Sequence, residues 1–92
     1  MAWKVEVARP VSKGLRKLPA SVHTALAALI MDMEDSGPVR GDWPNYSRLG
    51  PGRHHCHLKK GRPTYVAVWE ERPGHVRLIE VTYVGTHEKA PY

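Results

Sequence analysis

Between Gly37 and Asn45 the hydrophobic rhythm of the chain changes from a helical period to a strand period. The change puts helices before the loop and strands after it, the pattern of an α+β chain. Upstream of the loop, Val22, Leu26, Leu29, Ile30 and Met33 recur at steps of 4, 3, 1 and 3, which is the stripe of an amphipathic helix. Pro19 suits the first turn of that helix, and Gly37-Pro38 suits its end. Val11, Leu15 and Leu18 predict a shorter helix before it. Met1 to Arg9 alternates, with Trp3, Val5 and Val7 opposed to Lys4 and Glu6, and reads as a strand that Pro10 ends. Downstream the period is two. Arg53 to Lys59, Thr64 to Glu70 and Val76 to Val84 read as strands, separated by turns at Lys60-Gly61-Arg62-Pro63 and Arg72-Pro73-Gly74. Gly85 is expected to break the last strand, leaving Thr86 to Tyr92 as a short tail. The order β-α-α-β-β-β predicts an α+β fold, with a helical pair packed on one face of a mainly antiparallel four-stranded sheet and the other face open.

This length supports one small domain, taken as residues 1–92. Charged residues make up 25% and hydrophobic residues 41% of the chain, a globular rather than a disordered balance. A single Cys excludes an internal disulfide and the stapled mini-protein class. Residues 1–10 lack the apolar segment of a secretory signal. The apolar run Ala25 to Met31 is far too short to cross a bilayer. The expectation is a basic cytoplasmic protein with no membrane association.

The net charge of +5 is concentrated rather than spread. Arg48, Arg53, Lys59, Lys60 and Arg62 fall in one stretch without an acid, so their five charges equal the whole net charge. Such a stretch is either a solvated basic hairpin or an attractor of polyanions, of which nucleic acid is the commonest in a cytoplasm.

His54, His55 and His57 lie inside that stretch. In an alternating strand Cys56 and Leu58 share one face, and His54 goes with them as a structural histidine. His55, His57 and Lys59 then line the open face at intervals of about 7 Å, at a rise of ~3.4 Å per residue. Imidazoles beside cations favour the neutral, base-competent form. Cleavage of RNA by its own 2′-OH requires a base for that proton, an acid for the departing 5′-oxygen and cations for the developing charge. Histidines with Lys and Arg meet this need without a metal or other cofactor. His87, after the last strand, is a further candidate, and Tyr92 is a ring that could stack on a base. A metal site is disfavoured because Cys56 points away from His55 and His57, and the stretch holds no carboxylate. Cys56 reads as a small core hydrophobe rather than a nucleophile. Asp42, Trp43 and Tyr46 either flank the open face or cap the edge of the core, the latter favoured for Trp43.

Several segments, in order, resemble the RelE/ParE superfamily of toxins from type II toxin–antitoxin systems. Lys13-Gly14-Leu15-Arg16-Lys17-Leu18-Pro19 is similar to the family's K-x-L-x-K-L-P segment. Cys56-His57-Leu58 with Tyr65-Val66-Ala67-Val68-Trp69 resembles its central hairpin. Val84-Gly85-Thr86-His87 with Tyr92 resembles its closing strand and tail, nearest the RelE/YafQ-like branch. The resemblance implies a ribosome-dependent endoribonuclease, an mRNA interferase, whose partners are the ribosome, mRNA and a cognate antitoxin. It matches His57 and His87 to the hairpin and tail histidines of the YafQ-like branch, and Tyr92 to the terminal aromatic. His55 falls where RelE has a Lys and YafQ an Asp. The chain departs from RelE in lacking its hairpin Lys pair, its tail Arg and the arginine of the next strand, where Thr64 or Tyr65 falls. The implied roles are His57 and His87 as the acid–base pair and His55 as an assistant. Tyr92 would be a stacking platform, and Arg48, Arg53, Lys59, Lys60 and Arg62 phosphate contacts. The alternative is a non-enzymatic module of the same fold, such as a ParE-type topoisomerase inhibitor or a degenerate toxin.

Overall fold

A computed structural model describes residues 2–92. The chain opens with strand β1 (Lys4–Val7), whose exposed Lys4 and Glu6 alternate with half-buried Val5 and Val7. Helix α1 (Arg9–Gly14) follows at once and continues into a 3-10 turn at Leu15–Lys17. Pro10 sits in the first turn of α1, where its missing N–H has no helical partner to lose. It therefore starts the helix as well as ending the strand.

Helix α2 (Ala20–Ser36) buries Val22, Leu26, Leu29 and Met33, the stripe read from the sequence, with Ile30 packed at its margin. Gly37 ends it at φ +91°, and a Cβ there would stand 3.0 Å from Trp3 Nε1. Only glycine fits both the backbone angle and the indole. Trp3 is tied to the same helix end, because its N–H donates to the Glu34 carbonyl at 2.8 Å.

Four further strands complete one sheet: β2 (Ser47–Gly50), β3 (Arg53–Lys59), β4 (Tyr65–Glu71) and β5 (Leu78–Thr86). The order across it is β1-β5-β4-β3-β2. The β1–β5 pair is parallel and the other three are antiparallel. The sheet thus has five strands rather than four. The extra one, β2, is a four-residue edge strand with one apolar side chain, Leu49. It forms because the Pro51-Gly52 turn folds it back on β3, and its sequence has no alternation that would announce it.

Two boundaries differ from expectation. Val76 is 89% exposed and lies outside β5, because Arg77 takes φ +56° in the turn. At the other end Gly85 continues the strand, opposite Val66, instead of breaking it. A Cβ on Gly85 would stand 2.7 Å from the Tyr83 hydroxyl, so this glycine makes room for the Tyr83 ring.

Both helices pack on one face of the sheet. Val11, Leu26, Leu29 and Met33 meet Cys56, Ala67, Trp69, Ile79 and Val81 in a single core. Trp69 is fully buried and donates to the Pro38 carbonyl at 2.9 Å, a partner its indole N–H requires in such a position. On the opposite face neither α1 nor α2 lies over β3 and β4. There Val66 and Val68 are nonetheless fully buried, flanked across the ladder by His57 and Gly85 and by His55 and Tyr83. No helix among the described residues is long and apolar enough to cross a membrane.

Candidate active site

The alternation of β3 sorts its histidines as the sequence demands. His54 and Cys56 are fully buried on the helix side, while His55 and His57 stand half-buried on the open face. His54 is a structural residue with both ring nitrogens in use. Nε2 lies 2.7 Å from Glu71 Oε2 and Nδ1 lies 2.7 Å from the Tyr46 hydroxyl. Its ring stacks on Trp69 with centroids 5.8 Å apart and planes 9° from parallel. Cys56 packs as a small hydrophobe, and burial, with a smaller contribution from Asp42, pushes its thiol up to about 12. Such a thiol is not a nucleophile at neutral pH. Tyr46 and Trp43 belong to the core edge rather than the open face. Trp43 donates to Asp32 Oδ2 at 2.8 Å, tying the loop to α2.

On the open face four rings close into a quartet. His55 and His57 stand 6.0 Å apart, His57 and His87 5.7 Å, His87 and Tyr92 5.8 Å, and Tyr92 and His55 5.0 Å, all between centroids and all edge to face. Two elements build it. Strand β3 supplies His55 and His57 from adjacent positions of one face. The segment after β5 supplies the rest through a 3-10 turn at His87–Lys89, anchored where the His87 N–H donates to the Thr64 carbonyl at 2.8 Å. The Tyr83 hydroxyl donates to the Thr86 carbonyl at 2.7 Å and braces the same corner.

The electrostatics favour the neutral form of His55 and His57. Burial, then the neighbouring His55, His87 and Lys60, hold His57 below the usual imidazole range. Burial lowers His55 too, with Ser47 opposing and His87 adding to the effect. The Ser47 hydroxyl lies 2.9 Å from His55 Nδ1, a partner supplied by the unforeseen strand β2. Burial, then Tyr83, raises the Tyr92 phenol, so it remains protonated. His57 Nδ1 is buried without a hydrogen-bond partner among the described residues. An orphaned buried nitrogen costs about 1–3 kcal/mol and in native proteins often marks a functional group.

The cations divide. The register slips by one between His57 and Lys59, so Lys59 stands opposite Tyr65 and leaves the row it was expected to share with His55 and His57. The positive charge felt by His57 comes instead from Lys60. Lys59, Lys60 and Arg62 are exposed around the β3–β4 turn, and none has an acidic partner among the described residues. Arg48 pairs with His54 in the β2–β3 ladder, which puts it on the helix side of the edge. Arg53 is already engaged, with Glu70 Oε2 at 3.5 Å and the Pro91 carbonyl at 3.0 Å. Among the described residues no group of three His, Cys, Asp or Glu side chains has the geometry to hold a metal ion.

A cleft at the other end of the sheet, lined by Trp3, Glu71, Arg72, His75 and Arg77 among others, gathers no comparable set of proton-transfer groups. The Tyr83–Gly85 pairing that shapes the quartet's floor went unread in the sequence. An aromatic two residues before a strand glycine was the available signal.

The architecture is a RelE-like fold: two helices against one face of a mixed five-stranded sheet, with the histidine-bearing face left open. No protein-family model and no curated protein matches the chain. Among solved structures, a mutant of the E. coli toxin RelE in the free state superimposes with a TM-score of 0.73. That match has 20% identity and covers 96% of this chain and 86% of that one. The archaeal RelE–RelB complex from Pyrococcus horikoshii OT3 superimposes with a TM-score of 0.61. It has 14% identity and covers 98% of this chain and 100% of that one.

Proposed function

We propose that this chain is the toxin of a type II toxin–antitoxin pair and acts in the cytoplasm as a ribosome-dependent, metal-independent endoribonuclease on mRNA. The observation that carries the reading is the quartet of three imidazoles and a phenol on an open sheet face, beside Lys60 and Arg62, which have no acidic partner among the described residues. His57 Nδ1, buried and without a hydrogen-bond partner among the described residues, supports the same reading.

In this mechanism His57, held neutral by burial and neighbouring positive charge, takes the proton from a ribose 2′-OH. The 2′-oxygen attacks the adjacent phosphorus, the bond to the 5′-oxygen breaks, and His87 donates the proton that the leaving oxygen needs. The products are a 2′,3′-cyclic phosphate and a 5′-hydroxyl, and the two histidines exchange protonation states. His55 assists by sharing the charge that develops at His57. Lys60 and Arg62, exposed at the β3–β4 turn, hold phosphates. Tyr92, about half exposed, offers a face on which a base can stack. The antitoxin covers this face and is acidic, because the uncompensated cations need a counter-charge when the toxin is held silent.

The test is induced expression, with mRNA mapped for new 5′ ends. Cleavage that depends on translation and disappears in His57→Gln and His87→Gln is expected. Intact mRNA with continued protein synthesis and gyrase-linked DNA damage would move the chain to the topoisomerase-directed alternative.

A further inference from the structure

We propose that Arg53 is a positioning residue that latches the segment after β5 so that Tyr92 seats against His55, and that its charge serves this latch rather than a bound phosphate. The inference rests on the ribonuclease reading for its catalytic consequence, though not for the latch itself.

Arg53 is the first residue of β3 and shares the open face with His55 and His57 by the alternation of the strand. Its guanidinium works in two directions. Nε faces Glu70 Oε2 at 3.5 Å, across the ladder on β4, and Nη2 donates to the Pro91 carbonyl at 3.0 Å. Glu70 is itself held, because its Oε1 lies 3.6 Å from Arg72 Nη1, and Arg72 also pairs with Glu80 of β5. Two arginines and two glutamates thus form a chain of ion pairs from β5 through β4 to β3 that cancels its own charge. Its last link is the carbonyl immediately before Tyr92.

That link has little redundancy. Among the described residues, the Arg53–Pro91 bond is the hydrogen bond that ties residues 90–92 to the sheet. The Ala90 N–H donates only to His87, within the same segment, at 3.2 Å. Tyr92 is otherwise held by its ring contacts with His55 and His87. A planar guanidinium can serve a carboxylate and a carbonyl at once, whereas an ammonium at this reach is a single point of charge. Lys60 and Arg62, free of acidic partners, are the groups placed to meet phosphate.

The experiment compares Arg53→Gln, Arg53→Lys, Glu70→Gln and Lys60→Gln in the full chain. By NMR, ring-to-ring contacts between Tyr92 and His55 are expected to vanish in Arg53→Gln. They should weaken in Arg53→Lys and Glu70→Gln, and persist in Lys60→Gln. This arm needs no RNA, so it reads the latch even if the ribonuclease reading fails. For RNA binding, Lys60→Gln should flatten the dependence of log K on log salt by about 0.7, the share of one single-strand phosphate. Arg53→Gln should leave that slope unchanged. In steady-state cleavage Arg53→Gln should lower kcat about tenfold or more, the effect of a misplaced group, with KM within about twofold. Tyr92–His55 contacts that survive in Arg53→Gln, or a salt slope that flattens there as in Lys60→Gln, overturn the proposal. If Arg53→Gln does not fold, Glu70→Gln decides alone: an unchanged Tyr92–His55 contact in that variant also overturns it.

Discussion

His54 and His57 are three residues apart on one strand, yet substitution by Gln should affect them in opposite ways. The His54 ring is fully buried, stacked on Trp69 and hydrogen-bonded at both nitrogens. Because a carboxylate only accepts, Nε2–H donates to Glu71, and Nδ1 pairs with the Tyr46 hydroxyl. Gln can keep one of these bonds but not both across the width of a ring. Loss of the stack costs about 0.5–1.5 kcal/mol. The Glu71 side chain is 38% exposed and turns to water if abandoned, so the larger cost arises if Tyr46 is left unpaired, about 1–3 kcal/mol. The sum, about 1.5–4.5 kcal/mol, is a large part of the roughly 5–15 kcal/mol that holds a domain together. Urea unfolding followed by tryptophan fluorescence should show the midpoint falling with m unchanged. At temperatures where the variant is folded, mRNA cleavage should be near normal. His57→Gln should do the reverse, leaving stability within about 1 kcal/mol while the cleavage rate falls about 10²–10⁴-fold. A His54→Gln protein that is stable to within about 0.5 kcal/mol but catalytically dead would refute both assignments, and with them the facing of the strand.

Four further outcomes follow from the structure. Because His57 is held below its ordinary 6.5, the acidic limb of kcat/KM against pH should lie below 6.5, and a limb at or above that value removes His57 as the base. The same shift makes the unfolded chain the stronger proton binder. The stability contributed at His57 is therefore intact above pH 6.5 and lost as pH falls from there through the folded value, and thermal melts from pH 7 to 5 should be less steep in pH for His57→Gln. Cys56, buried and pushed up to about 12, should resist iodoacetamide at pH 8 until denaturant is added, whereas rapid labelling of the native protein contradicts its packing. Gly37→Ala places a side chain at φ +91°, 3.0 Å from the Trp3 indole, and should cost about 1–3 kcal/mol for the backbone alone in a thermal or urea melt, while an unaffected midpoint denies that approach.

What the sequence determined by itself is what local periodicity encodes. The stripe of α2, the three strands of the meander and the opposite facing of His54 with Cys56 against His55 with His57 all follow from side-chain direction within one element. The positive stretch 48–62 was equally plain as composition. Only the tertiary structure decided which of those groups meet. His87 and Tyr92 reach His57 and His55 because β4 and β5 are registered so that the end of β5 lies beside the start of β4, and the 3-10 turn then carries the chain back over β3. Pairing also removed Lys59 from the histidine row through a one-residue slip. It added β2 and with it the Ser47 partner of His55, and committed Arg53 to Glu70 and Pro91. Alternation is a property of a few neighbouring residues, whereas register and the path of a turn depend on how separate strands satisfy one another's backbone groups. For that reason the facing of each histidine was legible along the chain, and their convergence was not.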